Sequence, residues 1–159
     1  MQSCMVSMAA SYNGCTPPLF NKKGIKIDAK EYCDTMEYYY HPHISVLYPD
    51  GKYIFQYNGA PSHTADASIK KANKLFGNGS ILQNPPNSPD LSLLDYCVWD
   101  AMKVTIKNMN PKTAKELRTC VVRASSMLDK AALQKAVDQY LHRLETCVKN
   151  GGHRFEHAL

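Results

Sequence analysis

Lys52-Tyr53-Ile54-Phe55-Gln56-Tyr57, followed by Asn58-Gly59-Ala60-Pro61-Ser62, is the stretch that decides the fold class. Its first six residues are rich in aromatic and β-branched side chains, which suit a buried strand. Gly59 to Ser62 interrupts that strand, with Ser62 as a cap, and a helix is predicted over residues 63–76. Ala65, Ile69, Ala72 and Phe76 then share one helical face. Gly77-Asn78-Gly79 stops the helix as a C-cap; a phosphate cradle would open a helix instead of closing one. Residues 80–83 read as a second short strand. The alternation points to a mixed α/β domain.

Toward the N-terminus, residues 5–11 and 16–20 flank Tyr12-Asn13-Gly14-Cys15. Asn-Gly tolerates positive φ at both positions, so a hairpin is predicted. Pro17-Pro18 puts its second arm at a sheet edge, because proline donates no ladder bond. Asp28 caps a predicted helix over 29–40, ended by Pro42. Toward the C-terminus, Asn84-Pro85-Pro86-Asn87-Ser88-Pro89-Asp90 is expected to be a rigid, extended loop. Helices are predicted over 93–108, from Asn110-Pro111 (N-cap and N1) to 127, and from Asp129 to Gly151-Gly152. In the last, Leu133, Val137, Tyr140, Leu141, Leu144 and Val148 form one stripe. Residues 1–95 are read as the core and 96–159 as a helical part of the same domain.

The chain has 159 residues, 44% of them apolar and 21% charged, which fits one globular domain and argues against disorder. No apolar run approaches the ~20 residues of a membrane helix. Residues 1–10 lack the charged start and apolar stretch of a signal peptide, so a soluble intracellular protein is expected. The six cysteines are never within three positions of one another, which excludes paired zinc or redox spacing; free thiols are expected. Residues 1–95 carry eight basic and eight acidic side chains, residues 96–159 eleven against six, so the C-terminal part supplies the whole net charge of +5. That asymmetry hints at a polyanionic partner.

Two segments carry a family resemblance. Phe55-Gln56-Tyr57-Asn58-Gly59-Ala60-Pro61-Ser62-His63-Thr64-Ala65 resembles the second acidic motif of mariner-type transposases, in the Tc/mariner superfamily. Pro86-Asn87-Ser88-Pro89-Asp90-Leu91, running on through Leu94-Asp95-Tyr96-Cys97-Val98-Trp99, resembles the third. Asn150-Gly151-Gly152-His153-Arg154-Phe155-Glu156-His157 is similar to the family's C-terminus, and Ser11-Tyr12-Asn13-Gly14 to its hairpin.

The resemblance implies a ribonuclease-H-like fold and cut-and-paste DNA transposition, in which three carboxylates hold two divalent ions, usually Mg²⁺. In-line attack on a phosphodiester needs one ion to activate the nucleophile and the other to stabilise the leaving oxygen. Asp95 matches the third acid. Asn58 occupies the place of the second, and an amide is neutral with a nitrogen that cannot ligate a metal. The first acid has no counterpart, since the earliest carboxylate is Asp28. The expectation is therefore an N-terminally truncated domain lacking its first, central strand, with the hairpin and later strands closing into a four-strand sheet. Asp95 is the remnant catalytic and metal-ligating residue, and tight Mg²⁺ binding is not expected. Asp90 and His63 are substitute donors on one reading, and a turn residue and a first-turn helix residue on the plainer one.

The resemblance also implies DNA as partner and a nuclear location. The family's helix-turn-helix domains have no counterpart in the chain, so contact is expected to be weak and non-specific. Lys103, Lys107, Lys112, Lys115, Arg118 and Arg123 are the candidate DNA-backbone contacts; Lys103 and Lys107 lie one turn apart, Lys112 and Lys115 roughly so. A solvated helix surface is the plainer reading of the same residues. Tyr38-Tyr39-Tyr40 point around a helix, which makes them core plus surface instead of a base-stacking platform. Two alternatives remain. One is an active metal-dependent nuclease completed by an upstream segment or parent transposase; the other is an interaction remnant whose helical tail forms a homodimer.

Overall fold

The computed structural model describes residues 3–21, 24–153 and 155. Two compact units emerge: one joins the N-terminal segment to everything from Ser88 onward, and the other is Gly24–Asn87 between them.

The first unit opens with the hairpin. β1 (Val6–Ser7) and β2 (Ala10–Ser11) return as β3 (Gly14–Cys15) and β4 (Leu19–Phe20). β2 pairs with β3 beside the turn, and β1 with β4 farther out, both antiparallel. Gly14 takes φ 137°, which side-chain-bearing residues rarely adopt. Between the two ladders Thr16 is buried: its hydroxyl accepts the Ala9 N–H at 2.9 Å, and its own N–H donates to the Ala9 carbonyl at 2.9 Å. That exchange holds the arms together where Pro17 and Pro18 have no N–H to give.

The second unit starts at Asp28, whose carboxylate accepts the Glu31 N–H at 2.9 Å and caps α1 (Ala29–Thr35). The helix does not end at Pro42, as the sequence suggests. It passes through a π-helical turn, Met36–Tyr40, and continues as α2 (His41–Leu47). Proline removes one helical N–H and crowds the carbonyl four residues back; the widened turn before it accommodates both effects. Burial of Met36, Tyr40 and Ile44 holds the continued helix in place. It stops at Tyr48, which Pro49 forces out of the helical region.

β5 (Phe55–Tyr57), shorter than the expected 52–57, is followed by α3 (Pro61–Thr64), α4 (Asp66–Phe76) and β6 (Ile81–Gln83). β5 and β6 pair in parallel, Gln56 opposite Leu82. The expected helix over 63–76 is broken at Ala65, which is extended; the Ser68 hydroxyl closes the joint by donating to the Ser62 carbonyl at 2.6 Å. Gly77 caps α4 at φ 94°, as the sequence implies. Phe55 stacks on Phe76 with ring centroids 4.1 Å apart, and Tyr40 meets Phe55 at 6.0 Å. Tyr38 is exposed while Tyr40 is buried, so the tyrosine run divides between surface and core.

Back in the first unit, the proline loop is not extended throughout: Pro89–Leu91 makes a 3-10 turn, then Leu94–Val98 a π turn that runs into α5 (Trp99–Met109). Asn110 is the left-handed C-cap of α5, at φ 51°, and not the N-cap of the next helix. That role falls to Thr113 before α6 (Ala114–Ser126). Its hydroxyl accepts the Glu116 N–H at 3.1 Å, and the Glu116 carboxylate accepts the Lys112 N–H at 2.7 Å. Asp129 caps α7 (Lys130–Asp138) as predicted, but the single tail helix is divided at Gln139, and α8 (Tyr140–Lys149) follows. Met8, Val98, Met102, Val121, Ala124 and Leu133 form the core of this unit.

The expected four-strand closure is not formed. Among the described residues the six strands make three two-stranded ladders, and β5 has β6 as its partner. Each strand pairs close in sequence, across the hairpin turn or across one helical crossover, where loop closure costs least. All six cysteines are free thiols. Among the described residues no helix is long and apolar enough to cross a membrane.

Candidate functional site

Asn58 follows β5 directly, at the carboxyl end of the parallel pair, where α/β sheets gather their ligands. It is exposed, and its Oδ1 accepts the Ala60 N–H at 3.1 Å. This small ring turns the chain into α3, with Pro61 at its start.

His63 on α3 hydrogen-bonds the Asn58 backbone. Its ring stacks on Tyr32 of α1, with centroids 3.9 Å apart and planes 25° apart. Nδ1 is buried and without a hydrogen-bond partner among the described residues. Burial lowers the His63 pKa, and the bond to Asn58 offsets part of that effect. Desolvation also pushes the Tyr32 hydroxyl far above its ordinary value. The pair is a neutral, packed support beneath the turn at position 58.

Asp95 belongs to the first unit. It is exposed in the first turn of Leu94–Val98, with its N–H donating to the Ser92 carbonyl at 2.9 Å. Asp90, five residues earlier, is only 3% exposed. Its Oδ2 accepts the Phe155 N–H at 3.4 Å, and its carbonyl accepts from the Arg143 guanidinium at 3.2 Å. Arg143 lies 4.0 Å over the Tyr96 ring, and the Tyr96 hydroxyl donates to the Ala136 carbonyl at 3.0 Å. The loop ahead of Asp95 is thereby fastened to α7, α8 and the buried Phe155. Sequence reading passed over this anchor, because nothing in Ser88-Pro89-Asp90 announces a partner 65 residues away. Arg154, Glu156 and His157 of the C-terminal resemblance lie outside the described residues.

Each of these positions, taken by itself, is poor in the anionic oxygens that a pair of divalent ions needs. Position 58 offers one neutral oxygen already accepting an N–H, Asp95 one carboxylate, and Asp90 a carboxyl turned into the protein. The free nitrogen of His63 is buried. Hard divalent cations want several anionic oxygens. Among the described residues no group of three or more His, Cys, Asp or Glu is gathered to hold a metal.

All six basic candidates are exposed. Lys103 and Lys107 share α5 one turn apart, and Lys103 pairs with Asp100 at 3.0 Å. Lys112 precedes the Thr113 cap and binds the Asn110 side chain at 2.9 Å, so it shares no helix face with Lys115. The Arg118 guanidinium lies 4.6 Å over the Phe20 ring and serves packing as well as charge. Arg123 stands in the last turn of α6.

The fold is similar to that of the Mos1 mariner transposase catalytic domain. It superposes on the Mos1 mariner paired-end complex with Mn at a TM-score of 0.84, with 22% identity over 96% of this chain and 45% of that one. The Mos1 transposase catalytic domain with raltegravir and Mg matches at 0.81, with 21% identity over 96% of this chain and 77% of that one. The Mos1 paired-end complex with left transposon end matches at 0.82, with 22% identity over 96% and 45%. The chain thus spans under half the length of the transposase in the paired-end complexes. No protein-family model and no curated protein matches it in sequence. At this identity the likeness is one of fold.

Proposed function

We propose that this chain is a mariner-family transposase catalytic domain that does not cut DNA and keeps only weak, sequence-independent contact with the DNA backbone. The observation that carries the reading is Asn58. It sits at the carboxyl end of β5, in the motif position of an acid, and its one ligating oxygen is neutral and already accepts the Ala60 N–H. Losing a member of a cooperative catalytic set costs orders of magnitude in rate. Six exposed basic side chains around α5 and α6 support DNA as the partner, and with DNA as partner the protein works in the nucleus.

A strand-nicking assay with Mg²⁺ or Mn²⁺ tests the first half of the reading. Neither the unmodified chain nor Asn58→Asp is expected to cut, and cleavage by the unmodified chain overturns the proposal. DNA binding should weaken steeply with salt, by ~0.9 log units per log unit of salt for each phosphate neutralised. Salt-independent binding refutes backbone contact.

A second reading, an interaction remnant, draws on α8: Leu141 and Val148 are 69% and 72% exposed on one face with Leu144. Oligomers in light scattering that do not depend on DNA would favour it.

A further inference from the structure

A groove of about 510 Å³, open to solvent, runs through the first unit. Its lining is largely apolar: Val6 of β1, Trp99, Met102 and Ile106 of α5, and Leu117 and Val121 of α6, with Ser3 and Cys4 beside them. Lys103 and Lys107 also line it, and among the described residues no carboxylate does. Lys103 is held only by an exposed pair with Asp100, and Lys107 has no ion pair among the described residues. Surface pairs of that kind are weak and readily exchanged.

We propose that this groove seats an acidic amphipathic helix of a partner protein. The occupant must carry apolar side chains for the floor and carboxylates for the lysines. Because the two ammonium groups stand one turn apart on α5, carboxylates one turn apart on a second helix meet both. Helix-in-groove binding takes this form, with anchors at helical spacing on one face. DNA is the poorer occupant of the floor: a phosphate can use the two ammonium groups, the Ser3 hydroxyl and the Trp99 indole N–H, but leaves the apolar side chains of Val6, Met102, Ile106, Leu117 and Val121 uncovered. A small ligand is also poorly served, since a trough this open leaves much of it wet. The inference goes beyond the DNA reading and does not depend on it.

The test uses the full chain and two synthetic helical peptides with identical Leu and Ile positions, one carrying Glu on its polar face and the other Lys. Trp99 is the single tryptophan and lines the groove, so its fluorescence reports occupancy. The Glu peptide is expected to shift the emission saturably, and the Lys peptide to bind at least about tenfold more weakly. Lys103→Glu combined with Lys107→Glu should reverse that order. Ile106→Ser should weaken both peptides while leaving DNA affinity in a gel-shift assay unchanged. No saturable shift, or equal binding of both peptides, overturns the proposal. Circular dichroism verifies that each variant folds. Should the double variant not fold, the two-peptide comparison on the unaltered chain still decides. A protein that takes up the Glu peptide but no DNA would refute the DNA reading and leave the groove assignment standing.

Discussion

The imidazole of His63 lies flat on the phenol of Tyr32, 3.9 Å between centroids, with its Nδ1 buried and unpartnered among the described residues. Burial lowers the pKa of that ring from its ordinary 6.5, so the folded chain binds the proton less readily than the unfolded one. Stability from this group is therefore complete above pH 6.5 and declines as the pH falls from there toward the folded-state pKa. Thermal unfolding of the wild type should show that loss, and His63→Phe, which keeps a ring on Tyr32 but does not titrate, should be flatter over the same interval. An NMR titration placing the His63 pKa above 6.5 would contradict the assignment.

Phe155 is 1% exposed and its amide reaches the Asp90 carboxylate, so the end of the described chain is structural. Phe155→Ala should cost about 3–5 kcal/mol, as expected for emptying a core aromatic site. Asp90→Ala should cost about 1–3 kcal/mol by leaving a buried N–H unpaired. Urea unfolding measures both, and changes under about 0.5 kcal/mol, the scatter of ordinary surface substitutions, would deny the anchor.

The basic side chains should separate by role. Lys107→Gln together with Arg123→Gln should reduce the salt slope of DNA binding by about two units, near 0.9 for each lost phosphate contact, without altering stability. Arg118→Gln removes a cation from the Phe20 ring and should lower stability too, by about 0.5–1 kcal/mol. Equal stability losses for all three positions would show that the surface is not divided this way.

Thr113→Ala should lower stability by about 1 kcal/mol, whereas Asn110→Gly should be near neutral or stabilising, because Asn110 sits at φ 51° and caps the preceding helix. Had Asn110 been the N-cap, the order would be reversed. Chemical unfolding of the two variants distinguishes the assignments.

Local chemistry was legible wherever one side chain decides a turn or cap: Asp28 and Asp129 capped their helices and Gly77 ended α4, while the hairpin formed with Tyr12-Asn13 as its turn and only Gly14 of the Asn-Gly pair at positive φ. Both motif positions landed as read, Asn58 after a strand and Asp95 at the head of a helix. What escaped depends on contacts remote in sequence. Pro42 ends a helix unless burial of Met36, Tyr40 and Ile44 holds the continuation. Asn110 and Thr113 are both acceptable caps locally, and the reciprocal bond with Glu116 selects the second. Asp90 has the look of a turn residue until Phe155 and Arg143 arrive. The stacking of His63 on Tyr32 likewise joins α3 to a helix thirty positions away, beyond any periodicity.

Because Gly24–Asn87 is inserted within the other unit, the two halves of that unit leave the ribosome far apart in time. Met8 and Thr16 have been synthesised long before Val98, Val121 and Leu133 exist to cover Met8. The middle segment, whose two strands pair with each other, is free to fold first. The nascent hairpin must wait, its apolar face open to chaperones or to wrong partners, until the final helices are released.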